Sequence, residues 1–304
     1  MRILIFIYSA LSLISGCTSS TQYHIATIDI GQIDKLGNIN VQIDSLENGL
    51  LTVDIYPEPW RYISISSNIA AAQYSTPPPP SGTSPGQAAA VGVAGSLIGS
   101  LIASEMAKSQ AQKEAQAPAQ PLIDALSTLE IEPDIQKKIS EIIQVSDFAI
   151  NRELTSGEEL ESDSAHLNLS PSIKLSNTLS VLKFNINAEL RDKSNKLVYQ
   201  NSVEYWSEES TNTVKSENLS YWKSEDMEAF LNELNLAIAY TASYLAQSLS
   251  NTLPEEEKQQ KTLKVASDNS WVMLRGNLLS DNDSGCVVIR DLRGNIKIIR
   301  GKLL

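Results

Sequence analysis

Apolar residues between Tyr23 and Ser66 recur at every second position: Ile28 and Ile30, then Ile39, Val41 and Ile43, then Leu51, Val53 and Ile55. A period of two places those residues on one face of a half-buried strand. Asn48-Gly49 tolerates the positive φ of a tight turn and predicts a hairpin, and Trp60 and Tyr62 continue a further strand after Pro57 and Pro59. The prediction for 23–74 is a small antiparallel β module, too small to stand alone and therefore leaning on another part of the chain. Further on the period changes. Leu122, Ala125, Leu126 and Leu129 predict a short helix, and Ile135, Ile139, Ile142 and Ile143 a longer one opened by Pro133 in its first turn. Strict alternation returns at Phe184, Ile186, Ala188 and Leu190, turns at Asp192 to Lys196, and runs back through Tyr199, Asn201, Val203 and Tyr205; Leu167, Leu169, Ile173 and Leu175 supply a third strand.

Ser224 is placed to cap a long helix, with Glu225, Asp226 and Glu228 at its positive end. Its stripe is Met227, Phe230, Leu231, Leu234, Ile238, Thr241, Tyr244, Leu245 and Leu249, and Pro254 ends it. Between the strands and this helix, Trp206 to Trp222 reads as an acidic, aromatic loop anchored by a buried Trp. Short strands follow at Trp271 to Leu279, Cys286 to Arg290 and Ile296 to Arg300, separated by turns at Ser280 to Gly285 and Arg293-Gly294-Asn295. The fold class is α+β: a central antiparallel sheet covered by helices, with a β module before it and a β meander after it.

The polar stretches divide this plan. Pro77 to Pro80 and the Ser/Gly run after them make 75–86 a linker, 113–120 and 254–261 are shorter linkers, 121–253 is the α+β domain and 262–304 a basic β tail. Gly82, Ser84 and Gly86 match a nucleophile-elbow spacing, but polyproline precedes the serine where a strand is needed and Pro85 follows it, so hydrolase chemistry is not assigned there.

The segment 87–112 opens with QAAAVGVAGSLIGSLIASEMA, uncharged until Glu105. At 100° per residue Gly92, Ser96, Ser100 and Ser104 form one row and Gly95, Gly99, Ala103 and Ala107 the next, so one side of the helix is wholly small. Each glycine costs a helix about 1 kcal/mol against alanine, a cost offset where the small face lets another backbone approach. Three packings stay open: against the protein's own domains, in a membrane, or in a homo-oligomer seam. The pattern resembles the glycine-zipper stretch of bacterial surface-antigen lipoproteins, with one helix where those families usually carry a hairpin of two.

At the start of the chain, Arg2 precedes a twelve-residue apolar run, Ile3 to Ile14, closed by Ser15, Gly16 and Cys17. The run suits a secretory signal and is short for a bilayer span. Ile14-Ser15-Gly16-Cys17 resembles the lipobox of bacterial lipoproteins. The resemblance implies a signal peptide over 1–16, cleavage before Cys17, diacylation of its sulfur, acylation (palmitate or a similar chain) of the new amino group, and a lipidated tether over 17–22. Two or three acyl chains make attachment stable, at about 0.8 kcal/mol per buried methylene. Thr18, where Asp would favour the inner membrane, implies the outer membrane and its periplasmic face.

Composition then limits the chemistry. The chain has 304 residues, is 42% hydrophobic, and contains two cysteines, so with Cys17 lipidated no intramolecular disulfide can form; Cys286 is expected to pack as a small apolar strand residue. The net charge of −12 is uneven: residues 1–257 carry 15 basic and 32 acidic side chains, residues 258–304 carry 9 and 4. An acidic body excludes nucleic acid as a partner. The basic tail either docks on that body or faces anionic envelope polymers or headgroups, and docking is preferred because a small β module needs a neighbour over its apolar face. No catalytic, cofactor-binding or metal-ligating constellation is found, and Asp281, Asp283 and Gly285 read as a hairpin turn rather than a calcium loop. The expected function is that of a non-catalytic envelope lipoprotein, a scaffold or accessory factor whose partners are the bilayer through Cys17 and an envelope protein or cell-wall polymer. The alternative is a cell-wall hydrolase or esterase using a carboxylate pair not recognisable in sequence.

Overall fold

The computed structural model describes residues 27–46, 49–54, 109–150, 152–156, 164–210, 212, 214–268, 270–281 and 285–301. Cys17 and its signal, the Pro/Gly/Ser linker and the zipper residues Gly92, Gly95, Ser96, Gly99, Ser100, Ala103 and Ala107 lie outside them.

The α+β class holds, with helices on one face of a mixed sheet of eleven strands. The framework is a meander of β5 (Ala165–Leu175), β6 (Leu182–Arg191) and β7 (Leu197–Trp206), antiparallel throughout, with the turn at 192–196. Asp192 Oδ1 fixes that turn by accepting the Ser194 and Lys196 N–H groups at 2.8 and 3.0 Å. On β6 the burial alternates at every residue, so Leu182, Phe184, Ile186, Ala188 and Leu190 face the core. That core is roofed by helices. Residues 109–116 are helical and pass through a 3-10 turn (Ala117–Ala119) into α2 (Gln120–Ser127), followed by α3 (Ile131–Gln144), α4 (Asp147–Ile150) and the long α5 (Lys215–Leu249). Ile131, Ile135, Ile139 and Ile143 form the buried stripe of α3; Phe230, Leu234, Ile238, Leu245 and Leu249 form that of α5. Each such side chain contributes roughly 1.5–3 kcal/mol by leaving water.

Several boundaries differ from those read in the sequence. The stretch 113–120 is helix and 3-10 turn rather than linker, held because Gln112 and Gln116 donate to the Val53 and Leu51 carbonyls at 3.0 and 3.1 Å. The long helix starts before Ser224. Lys215 to Lys223 are already helical, and the chain breaks at Ser224 (φ −62°, ψ 148°) with Glu225, Asp226 and Met227 at φ of 50°, 54° and 67°. Ser224 Oγ donates back to the Tyr221 carbonyl at 2.7 Å instead of capping the second segment. The end of the supposed aromatic loop is thus a helical turn, pinned by Trp222, whose Nε1 donates to the Leu179 carbonyl at 2.7 Å and whose ring meets Phe230 edge-on at 6.0 Å.

The N-terminal strands depart furthest from expectation. β1 (Thr27–Ile28) pairs with β7, a short α1 (Ile30–Ile33) follows, and β2 (Asn38–Ile43) and β3 (Thr52–Val53) both pair with β5 on the far side of the meander. There is no antiparallel module among the described residues of 23–74. β2 and β3 run parallel to β5 and lie end to end along it, so they do not pair with each other as a hairpin; Gly49 (φ +93°) donates its N–H to the Leu46 carbonyl at 3.2 Å, and Asn48 lies outside the described residues. Parallel pairing needs a long crossover, and the chain between β3 and β5 supplies one containing α2 and α3. β4 (Glu153–Ser156) adds a parallel strand outside β2.

The tail also belongs to the sheet. β9 (Ser270–Asp281), β10 (Cys286–Asp291) and β11 (Ile296–Arg300) match the three expected strands; β8 (Gln260–Ser267) is additional, although Leu263 and Val265 alternate with Lys264 and Ala266. β11 runs parallel to β7, with Ile296 opposite Val203 and Ile299 opposite Trp206. Its alternate residues serve two cores. Ile296 and Ile298 join Cys286 and Val288 in the core under the helices. Ile299 joins Trp206, Val181, Leu278, Val287 and Ile289 in a second core on the opposite face, closed by Val265 with Leu263, Val272 and Leu274 at its margin. The β8–β9 hairpin therefore folds back over the sheet. Its tip reaches the β5–β6 turn, where Asp268 Oδ1 accepts from the Thr178 N–H and hydroxyl at 2.7 Å each. At Gly276, paired with Asp291 on one side and Lys261 on the other, the backbones of β9 and β10 approach closely: a Cβ would lie 2.8 Å from the Arg290 carbonyl carbon and 3.0 Å from Asp291 Cα, so only glycine fits.

Candidate interaction surface

Three regions carry the polar chemistry of the described body. The first is the face of the β5–β6–β7 meander turned away from the helices. Register places Ser170, Asn187 and Ser202 in one row, Ser172, Asn185 and Glu204 in the next, and Asn168, Glu189 and Gln200 in another. Several of these side chains bond one another: Ser202 Oγ donates to Asn185 Oδ1 at 2.6 Å, Asn185 Nδ2 to Asn187 Oδ1 at 3.0 Å, and Gln200 Nε2 to Glu189 Oε1 at 3.2 Å. Asp44, at the end of β2, accepts from Ser170 Oγ at 2.6 Å and Asn168 Nδ2 at 3.0 Å. At the edge of this face Lys183 pairs with Asp54 at 2.5 Å and stands 4.3 Å from the Trp206 ring centroid.

The second region is the seam between body and tail. Lys297 lies directly opposite Glu204 in the parallel register and pairs with it on the polar face. Burial alone would raise the Glu204 carboxyl, but the charge and hydrogen bond of Lys297, helped by Lys183, hold it down at about 2. The same contact acts on the lysine, whose burial would lower its pKa and whose carboxylate partner raises it. On the helix side, Arg300 pairs with Glu233 of α5 at 2.7 Å, and the Tyr205 hydroxyl donates to the same carboxylate at 2.6 Å. Burial and that carboxylate push the Tyr205 phenol well above its ordinary value, and Tyr240 stacks on it at 6.0 Å. Cys286 is buried beside them, its thiol pushed up by burial. Arg290 pairs with Glu256. Three of the tail cations are thus turned inward onto glutamates, which is the docking arrangement expected from the charge asymmetry. Their partners, Glu204, Glu233 and Glu256, do not stand out in the sequence; opposite charge on strands whose pairing is unknown gives no local signal.

The third region is open surface. A groove of about 660 Å³ runs between the α1–β2 connection and the β6–β7 turn, lined by Lys35, Lys193 and Lys196 with Gln32, Asn38 and Asp192. Across the molecule, the outward side of the β8–β9 hairpin exposes Trp271 and Met273. Among the described residues no three or more His, Cys, Asp and Glu side chains gather as a metal site, and no helix is long and apolar enough to cross a membrane. The expected site residues, Cys17 and the zipper face, lie outside the described residues, so none is brought together with these regions. No protein family matches the chain, and neither a curated protein nor a solved structure does.

Proposed function

We propose that this protein is a lipid-anchored, non-catalytic scaffold or accessory factor of the bacterial envelope, held through Cys17 at the periplasmic face of the outer membrane. The anchoring rests on the lipobox Ile14-Ser15-Gly16-Cys17. The observation that favours a non-catalytic role is the use made of the most perturbed ionisable groups. Glu204, Lys297, Tyr205 and Arg300 are joined in partnered contacts that weld the tail to the body, and Tyr199, whose phenol burial also pushes up, donates to Ser248 inside the core, so these shifted groups are employed structurally. The ordered polar face, several of whose side chains are already held by one another, offers a rigid surface to an envelope protein or cell-wall polymer.

Three measurements test the reading. Cys17→Ala is expected to abolish acyl labelling and lipoprotein-type processing; normal processing with release of soluble protein from both forms would defeat the anchor. Purified protein is expected to leave peptidoglycan intact, and turnover of that polymer would instead support a hydrolase. Replacing Gly95 and Gly99 with Leu is expected to reduce self-association or membrane association through the zipper face while improving helix propensity.

A further inference from the structure

The two faces of the β8–β9 hairpin have opposite uses. The inner face supplies Val265, Leu263, Val272 and Leu274 to the second core, which fixes the hairpin in place. On the outer face, register sets Trp271 opposite Ala266, Met273 opposite Lys264 and Arg275 opposite Thr262. Trp271 is 43% and Met273 61% exposed, two residues apart on one side of one strand. Lys264 holds its ammonium 4.4 Å from the Trp271 ring centroid, and Arg275 is exposed beside Met273. In the same tail Arg290, Lys297 and Arg300 are spent on glutamates of the preceding chain, and Lys261 on Glu257. Lys264 and Arg275 are not in those pairs, so cationic charge and large apolar side chains are concentrated together on this outer face of an acidic chain.

That combination has a defined physical match. An indole and a thioether gain by entering the headgroup layer, where the indole keeps its N–H hydrated, while neighbouring cations meet lipid phosphates. A rigid strand pair presents all four groups to a plane at once with little ordering cost. We propose that the outer face of the β8–β9 hairpin docks on an anionic phospholipid surface, with Trp271 and Met273 in the headgroup layer and Lys264 and Arg275 on the phosphates. The inference rests on the lipid-anchored reading, since the anchor keeps the hairpin close to a bilayer.

The test uses the full lipidated protein with vesicles of phosphatidylcholine, with or without phosphatidylglycerol, carrying brominated acyl chains that quench tryptophan. Comparison of the wild type with Trp271→Phe isolates the Trp271 signal from the other indoles. Trp271 is expected to be quenched in the anionic vesicles, and the quenched fraction to fall at least about twofold in high salt or in the double variant Lys264→Glu, Arg275→Glu. These positions lie outside both cores, and an unchanged melting temperature in the variants checks that the fold is kept. Equal quenching in the wild type and Trp271→Phe, or a Trp271 signal indifferent to anionic lipid, salt and charge reversal, overturns the docking. Flotation reads the anchor separately: protein that floats with vesicles while Trp271 stays unquenched defeats only the docking face, and protein that fails to float on neutral vesicles yet shows salt-sensitive Trp271 quenching on anionic ones supports the face and defeats the anchor.

Discussion

Strand β11 sends Lys297 to one face of the sheet and Arg300 to the other, and the two ion pairs work differently. Lys297 and Glu204 are direct partners across adjacent parallel strands, so their contact exists only in one register. Arg300 and Glu233 join different layers, strand to helix, with Tyr205 as a third member. The first pair fixes where β11 lies along β7; the second fixes how α5 sits over it. A short strand at the seam of a sheet is therefore held from both faces, by charge as well as by Ile296, Ile298 and Ile299. Opposite charges desolvated together in this way contribute less to net stability than to choosing one arrangement.

Removing both clips at once gives the largest effect. Deletion of 258–304 strips Val288, Ile296 and Ile298 from one core and most of the other, a loss exceeding about 5 kcal/mol, comparable to a typical folding margin. The truncated chain is expected to lose its cooperative thermal transition in calorimetry, and a retained transition at the original temperature would show the tail to be an appendage. Next is Gly276→Ala, which drives a methyl into the Arg290 carbonyl and forces β9 away from β10, the strand that connects the hairpin to the rest of the sheet. A cost of roughly 2–4 kcal/mol is expected in urea unfolding, with Trp206 fluorescence reporting exposure of the second core. A neutral result would mean that β9 passes β10 without close contact.

The clip on the polar face is separable by pH. Glu204 has its folded pKa depressed to about 2 from an ordinary 4.5, so its stabilisation is complete above the unfolded value and is lost as pH falls from there through about 2. Ionised Glu204 should stabilise the fold by on the order of 2–3 kcal/mol relative to its protonated form, and Glu204→Gln should flatten the acid limb of stability between those values. Lys297 works in the opposite direction: its raised pKa gives stability that is present below 10.5 and lost as pH rises through the folded value. An acid limb identical in the wild type and Glu204→Gln would remove the pair from the account. The smallest effect is on the helix side, where Tyr205→Phe deletes one hydroxyl donor to Glu233 and should cost about 1–2 kcal/mol in chemical denaturation. Double-mutant cycles of Tyr205→Phe with Arg300→Met would show coupling if the three groups act together, and additivity if they do not.

Elements with their own strong periodicity are legible in the sequence. The alternation from Phe184 to Leu190 and from Tyr199 to Tyr205 marks the meander, and the isoleucines of α3 and the stripe from Phe230 to Leu249 mark the roof, because burial of one face writes a period into the chain. Inward docking of the tail is legible from charge, as far as the sign of the partners. The glutamates that receive it are not, since a carboxylate on a strand reads the same whether it meets solvent or a lysine from a strand far along the chain. The kink at Ser224 to Met227 is hidden for a related reason: a serine followed by acidic residues is a start signal, and what overrides it is the burial of Trp222 against Phe230 and the β5–β6 turn.

Local sequence thus determined the meander strands β5 to β7, α3, the second segment of α5 and the strands β9 to β11, with the apolar face of each, because those depend on side chains a few residues apart; it did not mark β4, β8 or the helical turns at 113–120 and 215–223. Tertiary structure alone decided that β1 goes to one edge of the meander and β2 and β3 to the other, that β11 runs parallel to β7, and that the hairpin folds over to make a second core. A strand offers its backbone N–H and C=O groups to any neighbour, and its alternation is the same for parallel and antiparallel partners. The choice falls to contacts made between distant segments, such as Gln112 and Gln116 on the carbonyls of Val53 and Leu51, Lys297 on Glu204, and a glycine at 276 where two backbones must pass without a side chain between them.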